Sequence, residues 1–301
     1  MRVIFMGTPS FAARSLEALL NSGHTVCAVF TRPDVRAGRG MKTRACETKE
    51  LAVGRGIPVY QPNTLRDEEA AELIRSLEPQ AIAVAAYGLL LPQNVLDIPP
   101  LGCVNVHGSL LPKYRGAAPV QWAVLNGEKT TGVTTMLMSR GLDRGDMLES
   151  VSTEIGREED AAALYDRLAV LGGSLLVSTL DALEKGEAVP QPQDESLATW
   201  APPLTKDMSA VDFSDTAENI CNKIRGLQPW PVARAELNGR PFRVYSACPA
   251  EGYSAGPGTV LGTDSRGIRV ACGNGAVLIR ELQAEGGKRM SAADYLRGHS
   301  L

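Results

Sequence analysis

The chain is poor in rings and in metal-ligating side chains. Aromatic residues make up 5% of its 301 residues and histidine occurs three times, so the core must be aliphatic and any proton-carrying imidazole is quickly enumerated. None of its six cysteines, Cys27, Cys46, Cys103, Cys221, Cys248 and Cys272, belongs to a Cys-x-x-Cys pair. Reduced thiols, no structural metal and a cytoplasmic location are the expectation. Neither sign of charge dominates. A formal net charge of −3 gives no global pull toward nucleic acid or an anionic membrane, and leaves such binding to local patches. Met1-Arg2 is followed by an apolar run of only four residues, too short for a signal core or a membrane span. Two nucleotide fingerprints are missing as well. The first strand–turn lacks Gly-x-Gly-x-x-Gly, which disfavours a dinucleotide, and no Gly-x-x-x-x-Gly-Lys-Ser/Thr occurs.

What is present alternates strand and helix. Val3-Ile4-Phe5-Met6 and Val26-Cys27-Ala28-Val29-Phe30 are all-apolar runs bracketing Phe11, Leu16, Leu19 and Leu20 at helical spacing. That is a βαβ unit whose strands are covered on both faces. The pattern continues with helices near 48–55 and 67–77, strands at 57–59 and 81–86, and a turn at Tyr87-Gly88. A helix at 120–126, a strand at 132–138 and a long helix at 158–184 follow, and the Gly172-Gly173 pair in that helix invites close packing. The expectation is an α/β doubly wound, Rossmann-like, mostly parallel sheet over 1–186. The prolines at 190, 192, 202 and 203 read as a linker over 187–205. Beyond it, a helix near 215–227 precedes five short alternating runs at 233–237, 242–247, 258–261, 268–272 and 276–282. These predict a C-terminal OB-like β-barrel domain over 206–301.

The chemistry gathers around 102–119. Asn105 and His107 lie two apart in a strand with Val104 and Val106, so both polar side chains share one face. A carboxamide donor beside a proton carrier suits a reaction that builds negative charge on a carbonyl oxygen. Asp143 and Asp146 lie in a tight glycine-flanked loop that starts Gly141-Leu142 and whose backbone can approach a ligand closely, one of them capping the turn and the other left for chemistry. Arg32, Arg36, Arg39, Lys42 and Arg44 crowd a loop with glycines at 38 and 40, leaving the carboxyl end of the second strand. That is where open α/β sheets bind ligands, and glycine-hinged cations there can meet phosphates.

Asn105-x-His107, Ser109-Leu110-Leu111-Pro112 and Gly141-Leu142-Asp143-x-Gly145-Asp146 together resemble the formyltransferases that use 10-formyltetrahydrofolate. Gly7-Thr8-Pro9, Ala37-Gly38-Arg39-Gly40, Arg115-Gly116-Ala117-Ala118-Pro119 and Pro229-Trp230-Pro231 extend the resemblance over the whole chain. It implies that Asn105, His107 and Asp143 are catalytic. It also implies that Ser109, Leu110, Leu111 and Pro112, with Tyr87, Gly88, Leu89, Gly141 and Leu142, wall a folate pocket. The basic loop and the second domain imply an initiator methionyl-tRNA acceptor held by Arg36, Arg39 and Lys42. A monomer without metal or membrane partner is expected. Ser139-Arg140 and Arg144 depart from the family pattern and place two extra cations beside Asp143. The rival reading is a formyltransferase acting on a sugar-nucleotide amine, since those enzymes share a similar His-Gly-Ser-Leu-Leu-Pro-Lys-Tyr-Arg-Gly run.

Overall fold

A computed structural model describes residues 1–37, 42–251 and 255–301. Its contacts divide into two units, and the first comprises Met1–Gly116, Gly132–Thr153 and Tyr165–Trp200. The elements up to the connecting stretch are β1 (Arg2–Gly7), α1 (Ser10–Leu20), β2 (Thr25–Phe30), β3 (Val35–Ala37), β4 (Lys42–Arg44), α2 (Glu47–Gly54), β5 (Val59–Tyr60), α3 (Glu68–Ser76), β6 (Ala81–Ala85), α4 (Gln93–Leu96), β7 (Cys103–His107), β8 (Arg115–Gly116), α5 (Pro119–Leu125), β9 (Thr130–Leu137), β10 (Met147–Glu154), α6 (Ala161–Lys185) and β11 (Trp200–Ala201).

Seven strands form one sheet in the order β10-β9-β7-β6-β1-β2-β5. The pairs β1–β2, β1–β6, β2–β5 and β6–β7 are parallel, whereas β7 and β9 are antiparallel. From β1 the chain winds outward through β2 and β5, then returns on the other side of β1 as β6 and β7. The reversal creates a crevice at the carboxyl ends of β1 and β6, where ligands bind in such sheets. Register aligns those ends: Gly7 pairs with Ala85, and Ala85 with Val106. The turns after β1 and β6 therefore emerge beside His107. Gly7 is required there, because a Cβ would stand 2.5 Å from the Ala12 Cβ and 2.7 Å from the Ala85 carbonyl oxygen.

The continuous apolar runs are strands buried on both faces, with every residue of β6 buried. One face packs Ile4, Met6, Phe30, Ile82 and Val84 against α3 and α4 residues Ala71, Ile74 and Val95. Helix α6 is long and apolar enough to cross a membrane, yet its leucines at 164, 168, 176 and 180 are fully buried in the protein core. Its two glycines take the expected close contacts. A Cβ on Gly172 would meet Val106 Cγ1 at 2.8 Å, and one on Gly173 would meet Ala18 Cβ and the Arg14 carbonyl oxygen at 3.0 Å. His24 is buried beside α6, with Nε2 3.2 Å from Asp181 and Nδ1 3.7 Å from Glu184.

The second unit comprises Ala117–Thr131, Glu154–Leu164 and Ala201–Leu301. It contains α5, α7 (Ala217–Gly226), β12 (Ala233–Leu237), β13 (Arg240–Ala250), β14 (Val260–Asp264), β15 (Gly267–Cys272), β16 (Gly275–Ala284), β17 (Met290–Ser291) and α8 (Ala292–Gly298). All five expected strands are present, in an antiparallel sheet of order β12-β13-β16-β15-β14 with β17 on β16. Alternation sets their faces: in β12 the alanines and leucine are buried while Arg234 and Glu236 are exposed. Ile220 and Ile224 of α7 and Tyr295 of α8 close the core, with Tyr295 edge-on to Phe242 at 5.4 Å. His299 stacks on Tyr295 at 4.5 Å.

Candidate active site

The pleat of β7 fixes the first two groups. Asn105 is half-buried, His107 is 5% exposed, and period-2 alternation puts both on one face of the sheet. No hydrogen-bond partner of the Asn105 carboxamide occurs among the described residues. Antiparallel pairing sets His107 opposite Thr134 of β9. The Thr134 hydroxyl donates to the Ser109 carbonyl at 2.7 Å and accepts from the Leu111 amide at 3.1 Å, which pins the turn that follows β7. That turn is further held by the Ser109 hydroxyl donating to the Lys113 carbonyl at 2.6 Å. Its Leu111–Pro112 peptide is cis.

The same turn fixes the imidazole. His107 Nε2 lies 2.9 Å from the Tyr114 carbonyl oxygen. A carbonyl can only accept, so Nε2 carries a proton, and Nδ1 is the nitrogen left for chemistry. Nδ1 faces Asp143, whose Oδ2 is 3.7 Å away. Asp143 is itself buried and has left-handed backbone, φ +53°. Aspartate tolerates that region better than most residues because its short side chain bonds locally. Here Oδ2 accepts from the Gly116 amide at 2.9 Å.

Behind Asp143 stands a set of groups that sequence reasoning missed. The Arg115 side chain is 1% exposed. Its Nε and Nη2 donate to Gln193 Oε1 at 3.0 and 2.8 Å, and its Nη1 and Nη2 make a fork onto the Glu195 carboxylate at 3.0 Å each. Gln193 Nε2 donates to the carbonyls of Asp143 and Gly145 at 2.9 and 2.8 Å. The Arg115 guanidinium beside Glu195 holds that carboxyl below the usual carboxylate range. Gln193 and Glu195 lie in the proline-rich stretch that composition reads as linker, so nothing local marks them. A buried arginine next to a glycine is the one signal available, and only burial reveals it.

The residues expected to wall a folate pocket are gathered at this edge unequally. Ser109 through Pro112 follow His107 directly, and Gly141-Leu142 lead into Asp143 with Leu142 exposed. The Ala86–Leu89 turn leaves Ala86 and Gly88 exposed, both with positive φ. The Tyr87 side chain, however, is packed into the core with Ile4, Phe30 and Leu65, and burial pushes its hydroxyl up to about 12. What 87–89 offer a ligand is main chain. The Tyr87 carbonyl already accepts from the Thr8 hydroxyl at 3.2 Å, and the spare Asn105 amide suits an acyl oxygen. Ser139, Arg140 and Arg144 are all exposed; the Arg144 side chain lies beside Gly141 and its charge falls on Glu195. Arg39 lies outside the described residues. Arg36 and Lys42 have described backbone, paired as part of β3 and β4, and side chains outside the described set.

Residues 1–180 match the family described as formyl transferase, and residues 203–300 match the formyl transferase C-terminal domain. The chain belongs to the formyl transferase family. This formyl transferase is 50% identical over 300 residues to the methionyl-tRNA formyltransferase of Trichlorobacter lovleyi, covering 100% of this chain and 95% of that one. It is 48% identical over 301 residues to the methionyl-tRNA formyltransferase of Citrifermentans bemidjiense, covering 100% and 94%. Among solved structures it resembles WlaRD, a sugar 3N-formyl transferase crystallised with dTDP and 5-N-formyl-THF (TM-score 0.70, 16% identity, 93% of this chain and 97% of that chain). It also resembles HypX from Aquifex aeolicus in complex with tetrahydrofolic acid (TM-score 0.64, 20% identity, 98% of this chain and 47% of that chain). At those identities the structures attest the formyl transferase fold.

Proposed function

We propose that the protein transfers a formyl group from 10-formyltetrahydrofolate to the free amino group of methionine on initiator methionyl-tRNA. The single observation that carries the chemistry is the arrangement of Asn105, His107 and Asp143 at the carboxyl end of one strand, with His107 Nδ1 facing Asp143 at 3.7 Å. Full-length identity near 50% to methionyl-tRNA formyltransferases supports this acceptor over an amino sugar.

The folate supplies an activated one-carbon unit at the formyl oxidation level. Asn105 donates its amide hydrogen to the formyl oxygen as the methionine nitrogen bonds to carbon and the carbonyl electron pair moves onto oxygen. His107 Nδ1, bare while Nε2 holds the ring proton, accepts the proton that the amine releases. The resulting imidazolium stands against the Asp143 carboxylate, which stabilises it. His107 then returns the proton to the departing folate nitrogen as the carbon–nitrogen bond to folate breaks. His107 Nε2 is held by the Tyr114 carbonyl, so donation to the oxyanion falls to Asn105 and proton transfer to His107 Nδ1.

The backbone of the 86–89 and 109–112 turns is proposed to hold the folate, and Arg36, Arg39 and Lys42 the tRNA. With polarisation assigned to Asn105 and proton transfer to His107, the reaction is proposed to run without metal. It is further proposed to run in a monomer and in the cytoplasm. The deciding experiment is formylation of methionyl-tRNA with 10-formyltetrahydrofolate, run beside uncharged tRNA, elongator methionyl-tRNA and a nucleotide-linked amino sugar. Turnover confined to the initiator is expected and should survive exhaustive dialysis against EDTA. Preference for the sugar would reverse the acceptor.

A further inference from the structure

We infer that Gln193, oriented by Arg115, is a positioning residue that holds Asp143 in its working conformation. The inference rests on the catalytic reading of Asp143 given above. A guanidinium can only donate, and a backbone carbonyl can only accept. With Arg115 Nε and Nη2 on one side of the Gln193 amide and the carbonyls of Asp143 and Gly145 on the other, only one orientation of that amide satisfies all four neighbours. Rotation by half a turn would set its oxygen against two carbonyl oxygens and its NH2 against a cation. Arg115 therefore sets the polarity of Gln193, and Glu195 balances the buried charge of Arg115 through the fork described above.

The two bonds from Gln193 land on the carbonyls of Asp143 and Gly145, immediately after the left-handed residue. The far side of that loop is already immobile. Gly145 lies so close to the end of β9 that a Cβ would stand 1.6 Å from the Leu137 carbonyl oxygen, and the Leu137 amide donates to the Asp146 carbonyl at 2.9 Å. The freedom left is the rotation of the peptide that follows Asp143, and this is what Gln193 restrains through the Asp143 carbonyl. Arg115 acts twice, since the amide of its chain neighbour Gly116 is the donor that fixes the carboxylate itself. A carboxylate displaced by about 1 Å from its partner can cost on the order of a hundredfold in rate.

The test compares Gln193→Met, Asp143→Asn and the double variant in the full chain with methionyl-tRNA and 10-formyltetrahydrofolate, the wild type being the control. Gln193→Met keeps the length of the side chain and removes both kinds of hydrogen bond. Expected are a ten- to hundredfold lower kcat, KM values for both substrates within about threefold, and a double variant no slower than Asp143→Asn alone. Gln193→Glu should fall at least as far, because it keeps the acceptor for Arg115 and loses the donor to the loop. Arg115→Lys should lower kcat as Gln193→Met does, having no fork to orient the amide. Wild-type kcat in Gln193→Met would overturn the inference, as would losses that multiply in the double variant. Wild-type turnover in Asp143→Asn would instead remove the catalytic role of Asp143, and the inference with it. Circular dichroism and the unfolding midpoint of each variant separate rate loss from misfolding.

Discussion

At the scale of single residues, the site depends on which atoms are already committed. His107 spends one nitrogen on the Tyr114 carbonyl, and Asp143 spends one oxygen on the Gly116 amide, while the Asn105 amide stays free among the described residues. In the proposed mechanism the free donor meets developing charge, so its loss should show in turnover and hardly in binding. Asn105→Ala is expected to lower kcat by about a hundred- to a thousandfold. Its folate affinity, measured by titration calorimetry, should stay within a few-fold of wild type. Near-normal turnover would remove Asn105 from the chemistry. Asp143 also shows how little of its setting is visible in sequence. Its place in a glycine-flanked loop is legible, whereas its partners at 116 and 193 are separated from it by 27 and 50 positions.

At the scale of elements, the catalytic strand is wedged by a helix. The Gly172 contact with Val106 lies between Asn105 and His107 in β7. Replacing an exposed helical glycine with alanine would gain up to about 1 kcal/mol from helix propensity. Here the new methyl has to displace a β-branched side chain in a packed core, at a cost of about 1–3 kcal/mol. Gly172→Ala is therefore expected to be net destabilising in urea unfolding and to lower kcat, because the strand that moves carries the site. Greater stability at unchanged kcat would show that the core gives way instead. Burial also lowers the His24 imidazole from its ordinary value of 6.5, the Met1 amino group adding to the effect and Asp181 and Glu184 opposing it. The unfolded chain then binds the extra proton first. Stability from this site is complete above about pH 6.5 and declines as pH falls below it. A thermal midpoint that drops between pH 7 and 5.5, and drops less in His24→Gln, is expected.

At the scale of the whole molecule, charge is local. The net charge of −3 offers a polyanion nothing, and several second-unit cations are already paired, as Arg280 is with Glu158 and Arg289 with Glu281. Attraction for tRNA is thus assigned to the basic loop. Arg39→Ala should weaken methionyl-tRNA binding, lower the slope of log Kd against log salt by about one phosphate contact, and leave folate binding intact. An unchanged slope in filter-binding titrations would exclude it. Fold was readable to the degree that burial is two-sided: the runs at 3–6, 26–30 and 81–86 need no partner to declare themselves strands. The alternation of β12 was equally plain. The 3₁₀ turn at Glu195–Leu197 carries its own cap, with Asp194 accepting from the Ser196 amide, but its docking onto Arg115, 80 positions away, was not legible.

The placement of Gln193 and Glu195 changes how the chain should be divided. A fragment that stops at 186, after the last helix of the sheet, leaves behind the amide that fixes the Asp143 loop and the carboxylate that neutralises Arg115. An excision that runs through Trp200 retains both. Hybrids that exchange the C-terminal β domain between relatives should be spliced downstream of that tryptophan, since a join at the helix end would bring a foreign strut into contact with the native Asp143 loop.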